Sequence, residues 1–337
     1  MKHVLLSALL LFVMLSCKDK NNSSKPEKFL YDSTGNINHV SVIIENDMWS
    51  GSVGDAIRGI LTKPIYGLPQ DEPTFTLSQI PPKVFSGFVT KNRTILKIEM
   101  NKEPSINFVE DVYAQPQKVI VLTGKTKKDI INLVNDNGQK IIEVFRNAEI
   151  GERQRQMAKS PHNYTSIKEK LGLTIQFSSI YETAKETDNF FWFRKDITTG
   201  HSHLMIYDLP YTAIKKNDST GMQILKIRDS IGKQYFKGRL DGTVNADGNK
   251  VSSYMVTEDA YAPFHAEVIL DNKPAFETKG LWELTNDFMG GSFVNYTIED
   301  KVNKRWVGVE GFIFAPSVEK RNYMLELEAI IKSIKID

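Results

Sequence analysis

The order of apolar and polar positions in the first half of the chain predicts strands and helices that alternate. Residues His39 to Ile44 form a β-branched apolar run that is typical of a strand, and Thr94 to Met100 alternates apolar and polar residues as a half-buried strand does. Apolar residues at helical spacing predict a helix over Ser52 to Leu61. Shorter strands are expected at residues 75–77 and 117–123.

A long helical tract follows at residues 126–158. Thr126 and Asp129 have the spacing of a capping box, which indicates that the helix begins there. The polar run Asn135 to Gly138 interrupts the pattern, so the tract is either two helices or one helix with a weak middle. Its polar end and the following Ser160-Pro161 indicate a junction between two units.

The second half of the chain is richer in strands. Helices are expected near residues 167–170, 222–235 and 318–334. Strands are expected at residues 173–177, 190–194, 203–207, 253–257, 265–270, 276–284, 293–299 and 306–314. Runs of strands with helices at their ends predict an α+β fold. We expect two units, residues 37–160 and 161–337, each of mainly antiparallel sheet with packed helices.

The first residues of the chain have the pattern of an export signal. Lys2 precedes an apolar run of about a dozen residues, shorter than the roughly 20 that a membrane-spanning helix needs. Ser16 then precedes Cys17, the single cysteine of the protein. This arrangement predicts a signal peptide over residues 1–16 and lipid attachment at Cys17, although an incidental free thiol would give the same sequence. Residues 17–36 are expected to form a disordered tether.

Composition limits the classes of function. The chain of 337 residues is 41% hydrophobic and 25% charged, as in ordinary globular proteins. Its 43 basic and 41 acidic residues give a net charge of +2, which provides no electrostatic basis for binding nucleic acid. A single cysteine excludes a disulfide framework within the chain.

Several long stretches resemble an uncharacterised domain-of-unknown-function lipoprotein family of Bacteroidota. The stretches are Gly35 to Trp49, Gly67 to Phe85, Asn189 to Asp196, Gly280 to Phe293 and Val309 to Ile330. The resemblance implies lipid attachment at Cys17 and lends no catalytic residues. The second half also looks like the fold of the photosystem PsbP protein, which implies nothing about function.

Two histidines offer the strongest metal-ligand spacing. His201 and His203 are two residues apart in a predicted strand, so both side chains point to one face of the sheet. A metal site would need further ligands, and no metal-binding motif supplies them. A polar sheet face or strand edge explains the pair as well, so we expect neither a metal nor a cofactor.

The densest mixture of aromatic, acidic and glycine residues lies between Trp282 and Gly291. Glu283 and Asp287 would suit the acid and base pair of a glycosidase at a suitable separation. The same residues also suit an ordinary connection between two strands. Trp282, Phe288 and Trp306 are candidates for a ligand-binding surface.

The loop Gly67 to Pro73 holds two prolines and adjacent carboxylates. Such a loop suits a surface contact, and it equally suits an ordered connection within the fold.

These observations favour a lipid-anchored protein of the cell envelope with a non-enzymatic binding or assembly role. We expect it in the outer membrane, facing the periplasm or the cell surface, where an envelope protein, a glycan or a lipid would be its partner. The alternative is an envelope hydrolase that acts on glycan or ester bonds, with Glu283 and Asp287 as its catalytic residues.

Overall fold

The computed structural model describes residues 29–337. The signal peptide predicted at residues 1–16 and the proposed lipid site at Cys17 therefore lie outside the described residues. The helices are α1 (Asn46–Trp49), α2 (Ser52–Leu61), α3 (Lys127–Met157), α4 (Thr165–Leu171), α5 (Thr220–Tyr235) and α6 (Arg321–Ile331).

The strands make up two large sheets and two small pairs. In chain order they are β1 (Tyr31–Asp32), β2 (His39–Ile43), β3 (Thr76–Ile80), β4 (Thr94–Met100), β5 (Ser105–Glu110), β6 (Ala114–Gln115), β7 (Lys118–Gly124), β8 (Leu173–Thr174), β9 (Glu182–Glu186), β10 (Phe190–Ile197), β11 (Gly200–Pro210), β12 (Met255–Thr257), β13 (Phe264–Leu270), β14 (Lys273–Leu284), β15 (Gly290–Asp300), β16 (Arg305–Phe314) and β17 (Lys335–Ile336). The predicted α+β class is confirmed.

The first large sheet has the strand order β3-β2-β4-β7-β5. Its pairings are parallel except at the β5 edge, where β5 runs antiparallel to β7. The expectation of a mainly antiparallel sheet is therefore wrong for this unit and holds for the second unit alone. Parallel neighbours need long crossover connections, and α2 provides one of them between β2 and β3. The apolar residues of α2 and of the first half of α3 cover one face of this sheet.

The second large sheet is antiparallel throughout and has the order β12-β14-β15-β16-β11-β10-β9, with β13 paired to β14. Helix α6, helix α4 and the end of α3 cover one face. Helix α5 covers the other face, where Leu225, Ile227 and Ile231 pack against a cluster that includes Trp282 and Phe312. The sheet is therefore buried on both sides.

Helix α3 joins the two sheets. Its first half contributes Ile130, Val134 and Phe145 to the core of the parallel sheet, whereas Ile150 and Met157 lie in the core of the antiparallel sheet. The predicted capping box is present, because Asp129 N donates to Thr126 Oγ1 and Thr126 N donates to Asp129 Oδ2. The helix runs unbroken through Asn135 to Gly138.

The segment before residue 37 belongs to the fold from Tyr31 onward. Strand β1 pairs in parallel with β6, so Tyr31 lies opposite Ala114 and Asp32 opposite Gln115. The Lys91 ammonium also lies 3.8 Å from the centre of the Tyr31 ring. Residues from Tyr31 onward, which the sequence predicts to be part of a disordered tether, are therefore ordered by main-chain pairing.

Among the described residues, no helix is both long and apolar enough to cross a bilayer.

Candidate functional site

A groove lies at the end of the antiparallel sheet where β14 turns into β15. Its volume is about 410 Å³, and Glu258, Glu283, Asp287 and Phe288 line it together with Pro69. The structure thus brings both predicted carboxylates to the same groove. Glu258 comes from the residue after β12, and its backbone N–H donates to Leu281 O.

The glycines of the β14–β15 hairpin let two backbones approach closely. A Cβ on Gly291 would lie 1.9 Å from Ile313 O. That carbonyl oxygen accepts a hydrogen bond from Trp282 Nε1 at 3.2 Å. Gly290-Gly291 therefore has a packing role at the base of the groove, in addition to its place in the turn.

Glu283 contacts a second carboxyl group in the groove. Partial burial, a hydrogen bond with Glu258 and the negative charges of Glu258 and Asp259 all raise the pKa of Glu283. Like charges at short range repel, so the neighbouring acidic groups disfavour the ionised form of Glu283. Its carboxyl group therefore keeps its proton to a higher pH than an isolated glutamate does.

Asp287 has a different environment. Although the residue borders the groove, its side chain is only 2% exposed. Its Oδ1 accepts a hydrogen bond from Phe288 N at 2.8 Å and lies 3.5 Å from Arg239 Nε. Its Oδ2 is buried and has no hydrogen-bond partner among the described residues. This carboxylate is held inside the turn.

The three aromatic residues expected to form one surface lie in three environments. Phe288 is 97% exposed at the tip of the turn. Trp282 and Trp306 are each 1% exposed and belong to separate core clusters. Of the three, Phe288 alone is available to a ligand.

His201 and His203 lie on the same face of β11, with ring centres 6.0 Å apart. Burial, helped by the nearby charges of His201 and Arg194, lowers the pKa of His203 to about 3. Its Nδ1 accepts a hydrogen bond from Trp192 Nε1, and its ring stacks on Phe312. His201 instead contacts Asp196 at 3.0 Å.

Across residues 29–337, no cluster of three or more His, Cys, Asp or Glu side chains is arranged to hold a metal ion.

Glu258 is the member of the groove that the sequence pattern does not predict. The only signal for it is an acidic pair, Glu258-Asp259, directly after a predicted strand. Nothing in the local pattern indicates that this strand pairs with β14, which begins sixteen residues after Thr257.

Two family models match the chain. The model described as domain of unknown function DUF4837 matches residues 160–333, and the model described as domain of unknown function DUF8532 matches residues 33–158. No curated protein matches significantly. The expected likeness to PsbP is not confirmed.

Among solved structures, human StAR-related lipid transfer protein 5 is similar over 54% of this chain and 96% of that chain, with 8% sequence identity and a TM-score of 0.23. A TM-score this low does not indicate a shared fold.

Proposed function

The chain belongs to the family described as domain of unknown function DUF4837, and we propose that it is a lipid-anchored protein of the cell envelope that binds a glycan without cleaving it. The proposal combines an anchor at the start of the sequence with the groove between β14 and β15. The two parts are independent, so each has its own test.

The anchor rests on the sequence around Cys17. A positive residue, a short apolar run and a small residue before the single cysteine form the pattern of a lipoprotein signal. Two or more acyl chains give stable anchoring, whereas one gives marginal binding. The polar residues after Cys17 would hold the folded part away from the membrane surface. We place the protein in the outer membrane, facing the periplasm or the cell surface.

The contrast between Asp287 and Phe288 carries the binding part of the proposal. The Phe288 ring is the most exposed of the large hydrophobic side chains described, while the neighbouring Asp287 carboxylate is buried. An exposed aromatic ring packs on the apolar face of a sugar, and carboxyl oxygens accept hydrogen bonds from sugar hydroxyls. Glu258 and Glu283 provide such oxygens beside Phe288.

One observation favours hydrolysis as a second candidate function. A glycosidase needs a protonated acid beside the scissile bond, and the raised pKa of Glu283 suits that role. The second carboxylate expected from the sequence is Asp287. Its burial argues against this role, because a base or nucleophile must reach water or substrate.

The anchor is tested with the substitution Cys17→Ala. Cells that express the full chain are labelled with radioactive palmitate and then separated into soluble and membrane fractions. We expect the label and the membrane partition to be lost in Cys17→Ala and kept in Ser23→Ala, a matched change within the tether. Unchanged labelling of Cys17→Ala would exclude the anchor.

The groove is tested with a panel of cell-envelope oligosaccharides presented to the detergent-solubilised full chain. We expect saturable binding that Phe288→Ala weakens by about tenfold, as loss of a stacked ring does. Phe88→Ala is the control, because Phe88 is 70% exposed and is not among the residues that line the groove. Equal binding by both variants, or no binding, would contradict the proposal.

The same panel separates binding from hydrolysis. If the protein only binds, the oligosaccharides stay intact after prolonged incubation, as judged by mass spectrometry. Product formation that disappears in Glu283→Gln would instead establish the hydrolase.

A further inference from the structure

A second, basic cleft lies between the two large sheets and shares no lining residue with the groove. Its volume is about 350 Å³, within the range of small-molecule sites. The residues at its wall come from the starts of β2 and β3, from the last turns of α3 and from the start of α6. They are Asn36, Ile37, His39, Thr76, Arg153, Arg321 and Asn322, of which none is acidic.

Arg321 is held rigidly in this cleft. Its Nη1 donates to Pro73 O at 2.8 Å and its Nη2 donates to Thr76 Oγ1 at 2.9 Å. The residue is 7% exposed, and its Nε is buried without a hydrogen-bond partner in the described chain. Both hydrogen bonds go to neutral oxygens, so they position the guanidinium group without neutralising its charge.

Arg153 approaches the cleft from α3. Its Nη1 donates to the neutral amide oxygen of Gln156, and its Nε is buried with no hydrogen-bond partner among residues 29–337. Arg155, two residues further along the same helix, has a carboxylate partner, because it forms a two-point ion pair with Glu152. A partly buried guanidinium group without a fixed counter-ion is unfavourable unless something else supplies negative charge.

The carboxylates near the two arginines have other hydrogen-bond partners. Glu326, which lines a neighbouring cavity together with Arg153, accepts hydrogen bonds from Tyr181 Oη and Lys195 Nζ. Glu72 accepts hydrogen bonds from the backbone N–H groups of Lys320 and Arg321. Glu149 accepts two hydrogen bonds from Arg93. Glu319 lies 3.9 Å from Arg321 Nη2, but its side chain is 73% exposed and therefore well solvated.

Two further groups on the wall suit an anion. Asn322 Oδ1 accepts a hydrogen bond from Asn38 Nδ2, and the Asn322 amide group has donors of its own to offer. Burial, followed by the positive charge of Arg321, lowers the pKa of His39. His39 is therefore a neutral group of the wall, and the formal positive charges there are those of Arg153 and Arg321.

We propose that this cleft is a binding site for a small oxyanion ligand, a phosphate ester or a carboxylate, with Arg153, Arg321 and Asn322 as its donors. Planar guanidinium groups bind such oxygens in pairs of parallel hydrogen bonds. The two arginines are far apart in sequence, and they come from the end of α3 and the start of α6, which cover the same face of the antiparallel sheet.

Titration calorimetry of the detergent-solubilised full chain tests the proposal, with sodium phosphate and sodium citrate as separate probes. Sodium chloride at the same ionic strength is the blank. We expect saturable binding of at least one probe, and the probe that binds identifies the ligand as a phosphate or a carboxylate. Arg153→Gln should weaken that binding by about tenfold or more, as loss of a charged hydrogen-bond donor does.

Arg155→Gln is the matched control, since it removes the same charge from the same helix two residues away and should leave binding unchanged. Asn322→Ala is a second test that leaves both arginines in place, and it should weaken binding severalfold. Circular dichroism verifies that each variant is folded. The proposal is overturned if neither probe binds saturably up to about 10 mM, or if Arg153→Gln and Asn322→Ala both bind as tightly as the unsubstituted protein.

Discussion

The carboxylate of Glu72 accepts a hydrogen bond from the backbone N–H of Arg321 at 2.8 Å, across 249 positions of the chain. It also accepts two contacts from the N–H of Lys320, at 2.7 and 3.0 Å. These hydrogen bonds place the Glu72 carboxylate, which is 4% exposed, at the N-terminus of α6. Unpaired N–H groups and the helix dipole favour a negative charge there. The loop that precedes β3 is therefore an internal connection between the two sheets.

Replacing Glu72 should destabilise the whole fold. Glu72→Ala leaves buried N–H groups at the start of α6 unpaired, and we expect the free energy of unfolding to fall by about 1–3 kcal/mol. Urea denaturation followed by circular dichroism measures the change. Asp71→Ala is the control, because Asp71 is exposed next to it. Equal midpoints for the two variants would contradict the capping role.

Arg93 and Glu149 should show strong energetic coupling. Arg93 Nε and Nη2 donate to the two oxygens of Glu149 at 3.1 and 2.9 Å, and both side chains are almost fully buried. Arg93→Met alone leaves the buried Glu149 carboxylate without its ion-pair partner, which should lower the free energy of unfolding by about 3–5 kcal/mol. The double variant Arg93→Met/Glu149→Leu should lose less than the sum of the two single variants. Additive losses in a double-mutant cycle, measured by urea denaturation, would rule out the coupling.

The carboxylate of Glu328 should make the free energy of unfolding depend on pH in the acidic range. Burial by itself would raise the pKa of Glu328, but the charges of Arg146, Lys279 and Lys332 hold it well below the usual value of 4.5. The unfolded chain then binds the proton more readily than the folded chain. The stability that this carboxylate contributes is present above about pH 4.5 and is lost as the pH falls toward the folded pKa.

The acid dependence is measured by unfolding in urea at a series of pH values between about 3 and 7. Glu328→Gln should be less stable at pH 7 and should show a shallower loss of stability below about pH 4.5. Glu319→Gln is the control, since the Glu319 side chain is 73% exposed. A pH profile of Glu328→Gln parallel to that of the unsubstituted protein would disprove the assignment.

Two glycine substitutions should have opposite effects. Gly308 lies opposite Tyr207 in the β11–β16 pair, and a Cβ at position 308 would lie 2.1 Å from Tyr207 Cε2. Gly308→Ala therefore forces the buried ring to move, at a cost of about 1–3 kcal/mol. Gly151 lies within α3, and a Cβ added there would meet no atom within 4 Å, so Gly151→Ala should stabilise by up to about 1 kcal/mol. A higher melting temperature for Gly308→Ala than for Gly151→Ala would contradict the close packing of Gly308 on Tyr207.

Local patterns predict the elements with strong periodicity. The helix expected at Ser52 to Leu61 and the strand expected at Thr94 to Met100 are present with those bounds. No pattern predicts strands β5 and β9, and all residues of β9 are exposed, so no buried face generates an alternating pattern there. Helix α3 is continuous through the polar run Asn135 to Gly138, and Gly138 packs closely on Ile60 there.

In the candidate site, too, the local sequence predicts some relationships and the tertiary structure decides others. The short spacing between Glu283 and Asp287 predicts their proximity, and both border one groove. The partner of Glu283 is instead Glu258, which pairing of β12 with β14 brings to the groove. Glu283 and Asp287 look equivalent in sequence but differ in environment. The Glu283 carboxyl group faces Glu258, whereas the Asp287 carboxylate is buried within its turn.

By itself the sequence determines the α+β class, the positions of the most regular helices and strands, and the pattern around Cys17. Each depends on the chemistry of neighbouring residues, which is local. The tertiary structure decides that Trp282 and Trp306 are core residues, that Glu72 caps α6, and that Arg153 and Arg321 share a cleft. These relationships join positions far apart in the chain, and burial and charge at such positions depend on how the sheets and helices pack.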